Sequence, residues 1–480
     1  MSNTDDGQVS PMPGTEARTS LSDSASTGLK RVLGFRSLVA VAIGLVVSQG
    51  VMVMILQGVG IGGLGFFIPL GIAFVLALSY AFSFSELSLM LPRAGSLSTY
   101  TEVAIGHFPA MVATFAGYVV VAMFALSAEL LLVDLILSDL FPGIFSPMVV
   151  AVVILVVFTA LNIVGVDIFA KLQSLLAFTM ITVLLLLGAV AATGSGLPRT
   201  VEIDLFQNWN PAGAEVFSLI AIAIWGFVGA EFVCPMVEET KNPEKNIPRS
   251  MITGICVIMA VYVIYCVGAL LYVPTEELAS GSLPHKSFVF AVFGETGAIF
   301  LAAAAITATC STVNTSMAAI PRMLYGMAHN GQALPIFKQV HPRFQTPWVA
   351  VLFIAAITGL PLVVLGNDAD GVTLLLISAS LSWLLAYIIA HVDVMVLRKR
   401  LPNVKRPFKT PFYPLPQIIG ILGMVYACFH NSPSPELTQQ VYLTSGVVLL
   451  LVCIAAALWV KLVMKRKLFE PETLQHALED

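Results

Sequence analysis

The chain has 480 residues, of which 58% are hydrophobic and 11% charged, and its mean hydropathy is +0.91. A composition this apolar excludes a water-soluble protein and is typical of a polytopic membrane protein, so the usual relation between length and domain number does not apply. The formal net charge of −4 says little about partners, because the positions of charges in a membrane protein matter more than their sum.

Residues 1–29 are rich in Ser, Thr, Asp and Gly and carry few bulky apolar side chains, which predicts a disordered tail. They lack a basic start followed by an apolar core, so we expect no cleaved signal peptide. Twelve apolar runs follow, each reaching or nearing the roughly 20 helical residues that cross about 30 Å of hydrocarbon. The runs cover residues 37–59, 66–91, 109–138, 147–166, 172–194, 214–239, 250–273, 297–327, 347–366, 371–397, 413–431 and 440–463.

The loops between these runs alternate in charge. With a cytoplasmic N-terminus, only Arg199 and Lys286 among the lysines and arginines fall on the outer side. The positive-inside rule therefore predicts a multi-pass protein of the plasma (inner) membrane with both termini in the cytoplasm. The outer loops instead carry Glu202, Asp204, Glu276, Glu277, Asp368, Asp370 and Glu436.

The most informative stretch is residues 222–250, an apolar run weakened by two glycines, Gly226 and Gly229. A carboxylate, Glu231, follows them. An interruption at the membrane midplane exposes backbone polar groups that lipid cannot satisfy, so it is expected only where it lines a cavity or binds something. An ionisable side chain at that depth is costly and usually functional. The alternative is a close contact between helices, which intramembrane glycines also serve.

Motifs along the chain resemble those of one transporter family. The run Trp225 to Glu231, followed by Glu-Glu-x-x-Asn-Pro-x-x-Asn-Ile-Pro from Glu238 to Pro248, is similar to the sixth span of the amino acid–polyamine–organocation (APC) transporters. The resemblance extends over roughly residues 30–465. Further motifs that resemble the family lie at Ser85–Tyr100, Asn162–Gln173, Pro321–Pro347 and Arg398–Pro411.

The resemblance implies an all-α fold of twelve transmembrane helices. Ten of them would form a five-plus-five inverted repeat with broken helices 1 and 6, and two accessory helices would follow. The implied segments are a cytoplasmic tail (1–29), a first repeat (30–194), a second repeat (195–410), accessory spans (411–465) and a C-terminal tail (466–480).

In the first apolar run, Ser48-Gln49-Gly50 is the expected interruption, although an interfacial polar contact explains these residues equally well. The family commonly has a denser glycine motif here, so the way in which a substrate carboxylate is held is in question. Glu129, in the third run, is expensive in lipid unless it faces a polar cavity or pairs with a partner such as Gln49. Glu231 would open the second half of span 6, where a helix N-terminus favours an anion. It could bind a substrate ammonium or a coupling proton, or simply cap the half-helix.

Trp225 and Phe227 are either core residues or, as the resemblance implies, an aromatic lid over the substrate, where a ring can also face an ammonium. The candidate substrate-binding residues are Ser48, Gln49, Gly50, Glu129, Trp225, Gly226, Phe227, Gly229 and Glu231. Glu238 and Glu239 either belong to a solvated polar cap at the inner end of span 6 or form an inner gate with Arg93 or Arg322. Trp225 is a further gate candidate, as part of the aromatic lid.

No cofactor or metal site is expected, but a coupling proton or sodium ion remains open. In sodium-coupled relatives of the fold, span 8 hydroxyls and span 1 carbonyls hold a cation, which makes Thr309, Ser311 and Thr312 candidates. Such hydroxyls more often bond to their own helix. Some proton-linked members carry a lysine in span 5 in place of the ion, and alignment from Gln173 puts Met180 at that position, so a lysine substitute is unsupported.

The sequence therefore predicts a secondary-active transporter, by symport or antiport, of amino acids or related organic amines, with the lipid bilayer as its surroundings. The two intramembrane carboxylates lack a lysine or arginine at their depth, which favours a cationic or amine-rich substrate. A neutral amino acid transporter or exchanger is the alternative. A channel is disfavoured because the polar residues are confined to the interruptions. No enzyme motif and no nucleic-acid-binding motif is present, and the oligomeric state is not predicted.

Overall fold

The structure is a computed structural model, which describes residues 31–146, 148–199, 209–281, 283–365, 369–431 and 435–478. The tail predicted over residues 1–29 and the acidic residues Glu202, Asp204 and Asp368 lie outside the described residues. Within those ranges the chain is helical apart from turns and one isolated bridge, between Leu33 and Thr240.

The α-helices of the described residues are numbered in chain order. They are α1 (Phe35–Gly44), α2 (Gln49–Gly62), α3 (Phe67–Met90), α4 (Leu97–Ala104), α5 (His107–Thr114), α6 (Ser127–Leu140), α7 (Val149–Val164), α8 (Val166–Thr193), α9 (Ile220–Trp225), α10 (Pro243–Leu270), α11 (Thr275–Ser280), α12 (Pro284–Phe293), α13 (Gly297–His329), α14 (Trp348–Leu365), α15 (Ala369–Arg400), α16 (Leu415–Phe429), α17 (Pro435–Leu458) and α18 (Leu474–Leu478). Pieces of 3₁₀ helix lie at Gly63–Phe66, Gly213–Leu219, Ala230–Glu239, Gly294–Thr296 and Pro335–Lys338, and π-helical turns at Phe115–Val120, Ala122–Leu126 and Trp459–Val463.

Eight helical stretches of the described residues are long and apolar enough to cross a membrane, and the apolar helices α1, α7, α14 and α16 are shorter. Every apolar run found in the sequence contains helix. Two short helices, α11 and α12, lie between the runs at 250–273 and 297–327 and were not expected. The ten residues of α12 are too few to cross the hydrocarbon, so a hydropathy scan for spans passes over them.

The helices differ in how far the rest of the bundle covers them. The apolar windows of His107–Leu140 and Gly213–Glu239 are 89% and 83% buried, whereas that of Leu437–Val463 is 11% buried. The first two stretches therefore form the centre of the bundle, and the last lies at its edge. In the central stretch that leads to α6, two π-helical turns precede Ser127, and such turns occur often at functional sites.

The first apolar run is interrupted. Helix α1 ends at Gly44 and α2 begins at Gln49, with Ser48 in extended conformation between them. The Ser48 hydroxyl accepts a hydrogen bond from the Val51 amide over 3.2 Å, which is the usual role of serine before a helix. Gln49 and Gly50 are thus the first residues of α2, and the turn itself covers residues 45–48.

A second interruption separates α9 from the 3₁₀ helix Ala230–Glu239. It covers residues 226–229, and Gly229 has φ +116°, a conformation that a side chain strains. A Cβ atom on Gly229 would lie 2.3 Å from the Cδ2 atom of Leu45. The two interruptions therefore pack directly against each other.

Side chains from neighbouring helices supply partners for the backbone groups that the interruptions free. The Tyr80 hydroxyl of α3 donates to the Phe227 carbonyl, and the Tyr387 hydroxyl of α15 accepts from the Gly229 amide over 3.0 Å. At the first interruption the Tyr262 hydroxyl of α10 donates to the Val46 carbonyl over 3.4 Å. These bonds replace the water that would solvate such groups in a soluble protein.

We predict that Gly229→Ala destabilises the fold by ~1–3 kcal/mol, because the methyl group meets Leu45 and the backbone conformation is strained. Gly71→Ala in α3 is the matched control, since a Cβ there meets nothing within 4 Å. The midpoint of thermal unfolding in detergent measures both effects. Equal midpoints for the two variants would show that the contact between the interruptions contributes nothing to stability.

Candidate functional site at the helix interruptions

A small cavity lies between the two interruptions. Its volume is about 20 Å³, which is room for about one water molecule. A ligand the size of an amino acid therefore requires part of the lining to move. The lining consists of Leu45, Ser48, Val51, Val121, Ala122, Ala125, Leu126, Glu129, Trp225, Val228, Phe232, Thr312, Ser316, Ile320 and Trp383.

Glu129, in the first turn of α6, closes the start of α2. Its two carboxylate oxygens accept hydrogen bonds from the Gln49 and Gly50 amides, each over 2.9 Å, and the residue is only 1% exposed. The first amides of a helix have no partner within that helix. A negative charge is also stabilised at this end of a helix by the aligned peptide dipoles. Glu129 therefore caps α2 from a different helix while lining the cavity.

The alternative considered from the sequence, a pair with Gln49, occurs through the backbone amide of that residue. The Gln49 side chain itself donates to the Leu132 carbonyl over 3.1 Å. The backbone amide and the side chain of Gln49 thus both bond to α6, which fixes the start of α2 against Glu129.

Glu231 lies in the first turn of the 3₁₀ helix that follows the second interruption. One of its oxygens accepts from the Trp383 indole N–H over 3.0 Å and the other from the Tyr387 hydroxyl over 2.6 Å. Trp383 lines the cavity, whereas Glu231 does not. Glu231 therefore orients the Trp383 indole without itself bordering the cavity, and it joins the 3₁₀ helix to α15 by hydrogen bonds.

The aromatic residues of the second interruption face different ways. Trp225 lines the cavity and meets the Trp383 ring edge to face, with centroids 5.8 Å apart. Its buried Nε1 has no hydrogen-bond partner among the described residues. Phe227 instead packs against Phe74 and Tyr262. Of the two candidates for a lid, only Trp225 borders the cavity.

The two glycines of this segment do not line the cavity either. A Cβ on Gly226 would approach the side chains of Ile55 and Tyr262 at 3.0 and 3.1 Å. Gly229 holds the contact with Leu45 and the bond to Tyr387. Both positions shape the interruption, while Ser48, Glu129 and Trp225 are the predicted binding residues that border the cavity.

The three hydroxyls proposed for ion coupling each have a protein partner. Thr309 donates to the Glu129 carbonyl over 3.4 Å, and Thr312 lies 3.5 Å from the Gly44 carbonyl. The Ser311 hydroxyl accepts from the Gln173 side-chain amide over 2.8 Å. Among these, only Thr312 borders the cavity.

Gln173 stands at the end of a chain of buried amides that the sequence did not reveal. Its Nε2 also donates to the Ala40 carbonyl of α1 over 3.2 Å. Its oxygen accepts from Asn314, whose own oxygen accepts from Asn162, over 2.9 and 3.0 Å. The glycine at position 44 leaves room for this amide, since a Cβ there would lie 1.8 Å from Nε2.

The predicted gate residues lie at the end of the bundle that carries most of the basic side chains, called the basic end below. Arg322 forms a two-pronged ion pair with Glu239, with N···O distances of 2.5 and 2.9 Å, and is 3% exposed. Glu238 accepts from the Ala94 amide over 2.9 Å. Arg93, the residue before Ala94, is half-buried in the same turn. The pair between Arg322 and Glu239 joins α13 to the 3₁₀ helix at this end.

Sequence reasoning missed Trp383, Tyr387 and Gln173. Trp383 and Tyr387 are four residues apart, which places both on one face of α15. An aromatic pair with polar tips at this spacing within an apolar run was the available signal. For Gln173 the signal was the presence of three amides, with Asn162 and Asn314, in otherwise apolar helices.

Comparison with known proteins agrees with this geometry. Residues 33–456 match the amino acid permease family. The chain belongs to this family. The predicted resemblance to APC superfamily transporters is thereby confirmed, and the protein is a multi-pass membrane permease rather than an enzyme.

Curated relatives span most of the permease. The branched-chain amino acid permease BcaP of Bacillus subtilis is 26% identical, over 84% of this chain and 88% of its own length. The serine/threonine exchanger SteT of the same organism is 24% identical, over 83% and 90%. The methylthioribose transporter of B. subtilis is 27% identical, over 83% and 87%. Transport of amino acids thus recurs among the relatives, but their substrates differ.

We predict that Arg322→Gln destabilises the permease by ~3–5 kcal/mol, because it leaves the Glu239 carboxylate buried without its cation. Arg343→Gln, at an exposed position, is the matched control and should have little effect. Thermal unfolding in detergent measures both. A double exchange, Arg322→Glu with Glu239→Arg, should recover part of the loss, and an unaltered midpoint in Arg322→Gln would contradict this account of the pair.

Proposed function

We propose that this permease moves amino acids or related organic amines across the membrane by secondary-active transport with alternating access. The observation that carries the proposal is the cavity itself. Two interrupted helices meet there. A carboxylate, Glu129, borders the cavity, and so does the indole N–H of Trp225, which has no hydrogen-bond partner in the part of the chain that the structure describes. Interrupted helices that meet at one site are the construction that secondary transporters use to bind substrates and ions.

We further propose that the chain has twelve spans, arranged as a five-plus-five inverted repeat and two accessory helices. The positions of the interruptions support this arrangement, because they fall in the first and sixth apolar runs. The low coverage of Leu437–Val463 by the rest of the bundle supports an accessory role for the last span. The distribution of lysine and arginine supports cytoplasmic termini, which would make the basic end the cytoplasmic one.

Alternating access would require the cavity to open toward one side at a time. In the structure the cavity has room for about one water molecule, and the buried Arg322–Glu239 pair joins α13 to the 3₁₀ helix at the basic end. We propose that breaking this pair opens the cytoplasmic side and that Trp225 moves to admit substrate from the other. A cavity with room for about one water molecule also argues against a channel, which needs a continuous polar path.

Two classes of substrate compete. Glu129 borders the cavity, and none of the described lining residues is a lysine or arginine, which favours a cationic or amine-rich substrate. The many aliphatic residues of the lining favour a neutral amino acid with an apolar side chain, as the name of one relative, a branched-chain amino acid permease, also suggests. We propose the first class, because a charge at this depth discriminates between ligands more strongly than apolar contact does.

Uptake into proteoliposomes tests the function. We predict saturable uptake of at least one labelled compound among lysine, putrescine, leucine, alanine and phenylalanine, and no single-channel conductance in planar bilayers. Competition among the five then ranks the two substrate classes. Uptake by none of them, or uptake that does not saturate, would contradict the proposal of an amino acid or amine carrier.

For coupling, we propose that no sodium ion binds between α1 and α13. The Gln173 side-chain nitrogen donates to the Ala40 carbonyl over 3.2 Å and to the Ser311 hydroxyl over 2.8 Å. These are oxygens that would otherwise be available to hold a cation. A helix C-terminus attracts positive charge, and the hydrogens of the Gln173 side-chain amide supply a partial positive charge there. The mode of transport left for this permease is then coupling to a proton or exchange without a coupling ion.

We therefore predict that replacing sodium by potassium at fixed pH leaves uptake by the natural protein unchanged. Gln173→Glu puts a second oxygen in place of the donor, and oxygen ligands suit a small hard cation. This variant should be more stable to heat in sodium than in potassium chloride. Gln417→Glu is the matched control, since Gln417 is a buried glutamine that bonds to Ser83 far from α1. Sodium-dependent uptake by the natural protein would refute the proposal.

A further inference from the structure

Both half-helices that begin at the interruptions have a carboxylate of the protein near their first residues. Glu129 binds the first two amides of α2, and Glu231 stands in the first turn of the 3₁₀ helix Ala230–Glu239. A free helix N-terminus is a ready site for a carboxylate, because its amides and dipole both favour negative charge. In this permease the first two amides of α2 bind Glu129, while Glu231 bonds to Trp383 and Tyr387 beside the start of the 3₁₀ helix. The helix N-terminus at the cavity, which would best suit a substrate carboxylate, is therefore occupied.

Glu129 is also held firmly in place. Its two bonds to α2 are both 2.9 Å long, and its own carbonyl accepts from Thr309. A Cβ atom on Gly50 would lie 2.7 Å from the Glu129 Oε1 atom, so the glycine is what allows this close approach. The carboxylate is thus part of the packed start of α2 and not a side chain that merely reaches toward it.

A second carboxylate at this position would meet Glu129 in a nearly dry cavity. Like charges in such surroundings repel strongly, and the described residues of the lining include no lysine or arginine to offset them. An ammonium group would instead be attracted to Glu129. The rings of Trp225, Trp383 and Phe232, which border the same cavity, give apolar contact and can face a cation.

Trp225 adds a separate sign that a ligand belongs here. Its Nε1, in a residue only 5% exposed, has no partner among the described residues although it lies at the cavity. A single neutral donor of this kind suits one hydroxyl, ether or similar oxygen. This single donor would stabilise a carboxylate much less than the α2 N-terminus does, where two amides and the helix dipole already stabilise Glu129.

We infer that Glu129 determines specificity by acting as a built-in carboxylate. It blocks the α2 amides to the carboxylate of a substrate and binds an ammonium group in its place, so the preferred substrate is an organic amine that carries no carboxylate beside that amine. This inference rests on the proposed function and narrows its substrate class. Amino acids would then be poorer ligands than the amines derived from them by loss of the carboxylate.

Matched pairs of ligands test the inference. The full-length permease in detergent is titrated with phenylalanine and phenethylamine, leucine and 3-methylbutylamine, and lysine and cadaverine, and the shift of the thermal unfolding midpoint gives each affinity. We expect the amine to bind about tenfold more tightly than its amino acid in every pair that binds, because the charge of Glu129 acts in opposite directions on the two.

Glu129→Gln should reverse this preference, since it removes the charge while keeping a side chain of the same size. Amine affinity should fall about tenfold and amino acid affinity should rise. Glu277→Gln removes the same charge from an exposed position and should alter neither. If Glu129→Gln does not fold, Glu129→Asp retains the charge and should keep the preference for amines with weaker binding.

The outcomes separate the inference from the function on which it rests. Tighter binding of the amino acid in the pairs that bind, or an unchanged preference in Glu129→Gln, overturns the inference and leaves amino acid transport standing. Binding of none of the six compounds, together with no uptake in proteoliposomes, overturns both.

Discussion

The fold depends on satisfying backbone groups that two interrupted helices release inside a membrane. In hydrocarbon an unpaired amide or carbonyl costs several kcal/mol. This permease assigns a partner from another helix to many of these groups: Glu129 to the first amides of α2, Tyr262 to Val46, Tyr80 to Phe227, and Tyr387 to Gly229. The interruptions are therefore not weak points in single helices. They are places where several helices are joined by hydrogen bonds.

The partners of the second interruption form one connected group. Tyr80 and Tyr387 stack with ring centroids 4.3 Å apart, and Tyr387 bonds to both Gly229 and Glu231. The 3₁₀ helix is thereby tied to α3 and α15 through aromatic side chains with polar tips. Such residues combine a large apolar contact with a hydrogen bond, which suits a region where packing and backbone satisfaction must be met together.

The sequence predicted the parts of this arrangement that depend on local composition. Apolar runs marked the helices, Gly226 and Gly229 marked the second interruption, and Ser48 before Gln49 marked the first. It could not predict partners that are distant in sequence. Glu231 is a predicted substrate-binding residue, and its partners Trp383 and Tyr387 lie more than 150 positions away in α15. Periodicity within one helix says nothing about such contacts.

The span 5 position shows the same limit. Alignment put Met180 at the position of the family's span 5 lysine, and it did not show that Gln173, two turns earlier in α8, reaches α1. Which turn of α8 faces Ala40 depends on how the helices cross, and that follows from side-chain packing across the interface. The local motif around Gln173 was visible, but its neighbour was not.

The two interruptions are anchored to different parts of the bundle, and this gives the cavity its particular position. Through Gln173, Asn314 and Asn162, α1 is linked to α8, α13 and α7. Aromatic residues link the second interruption to α3 and α15. The two anchored groups meet where Leu45 touches Gly229, beside the cavity that both Leu45 and Trp225 border. We propose that a ligand large enough to enlarge that cavity displaces side chains of its lining, because packed interiors leave little free volume. Since the cavity lies beside the contact between Leu45 and Gly229, such a displacement would act at the place where the two interruptions touch.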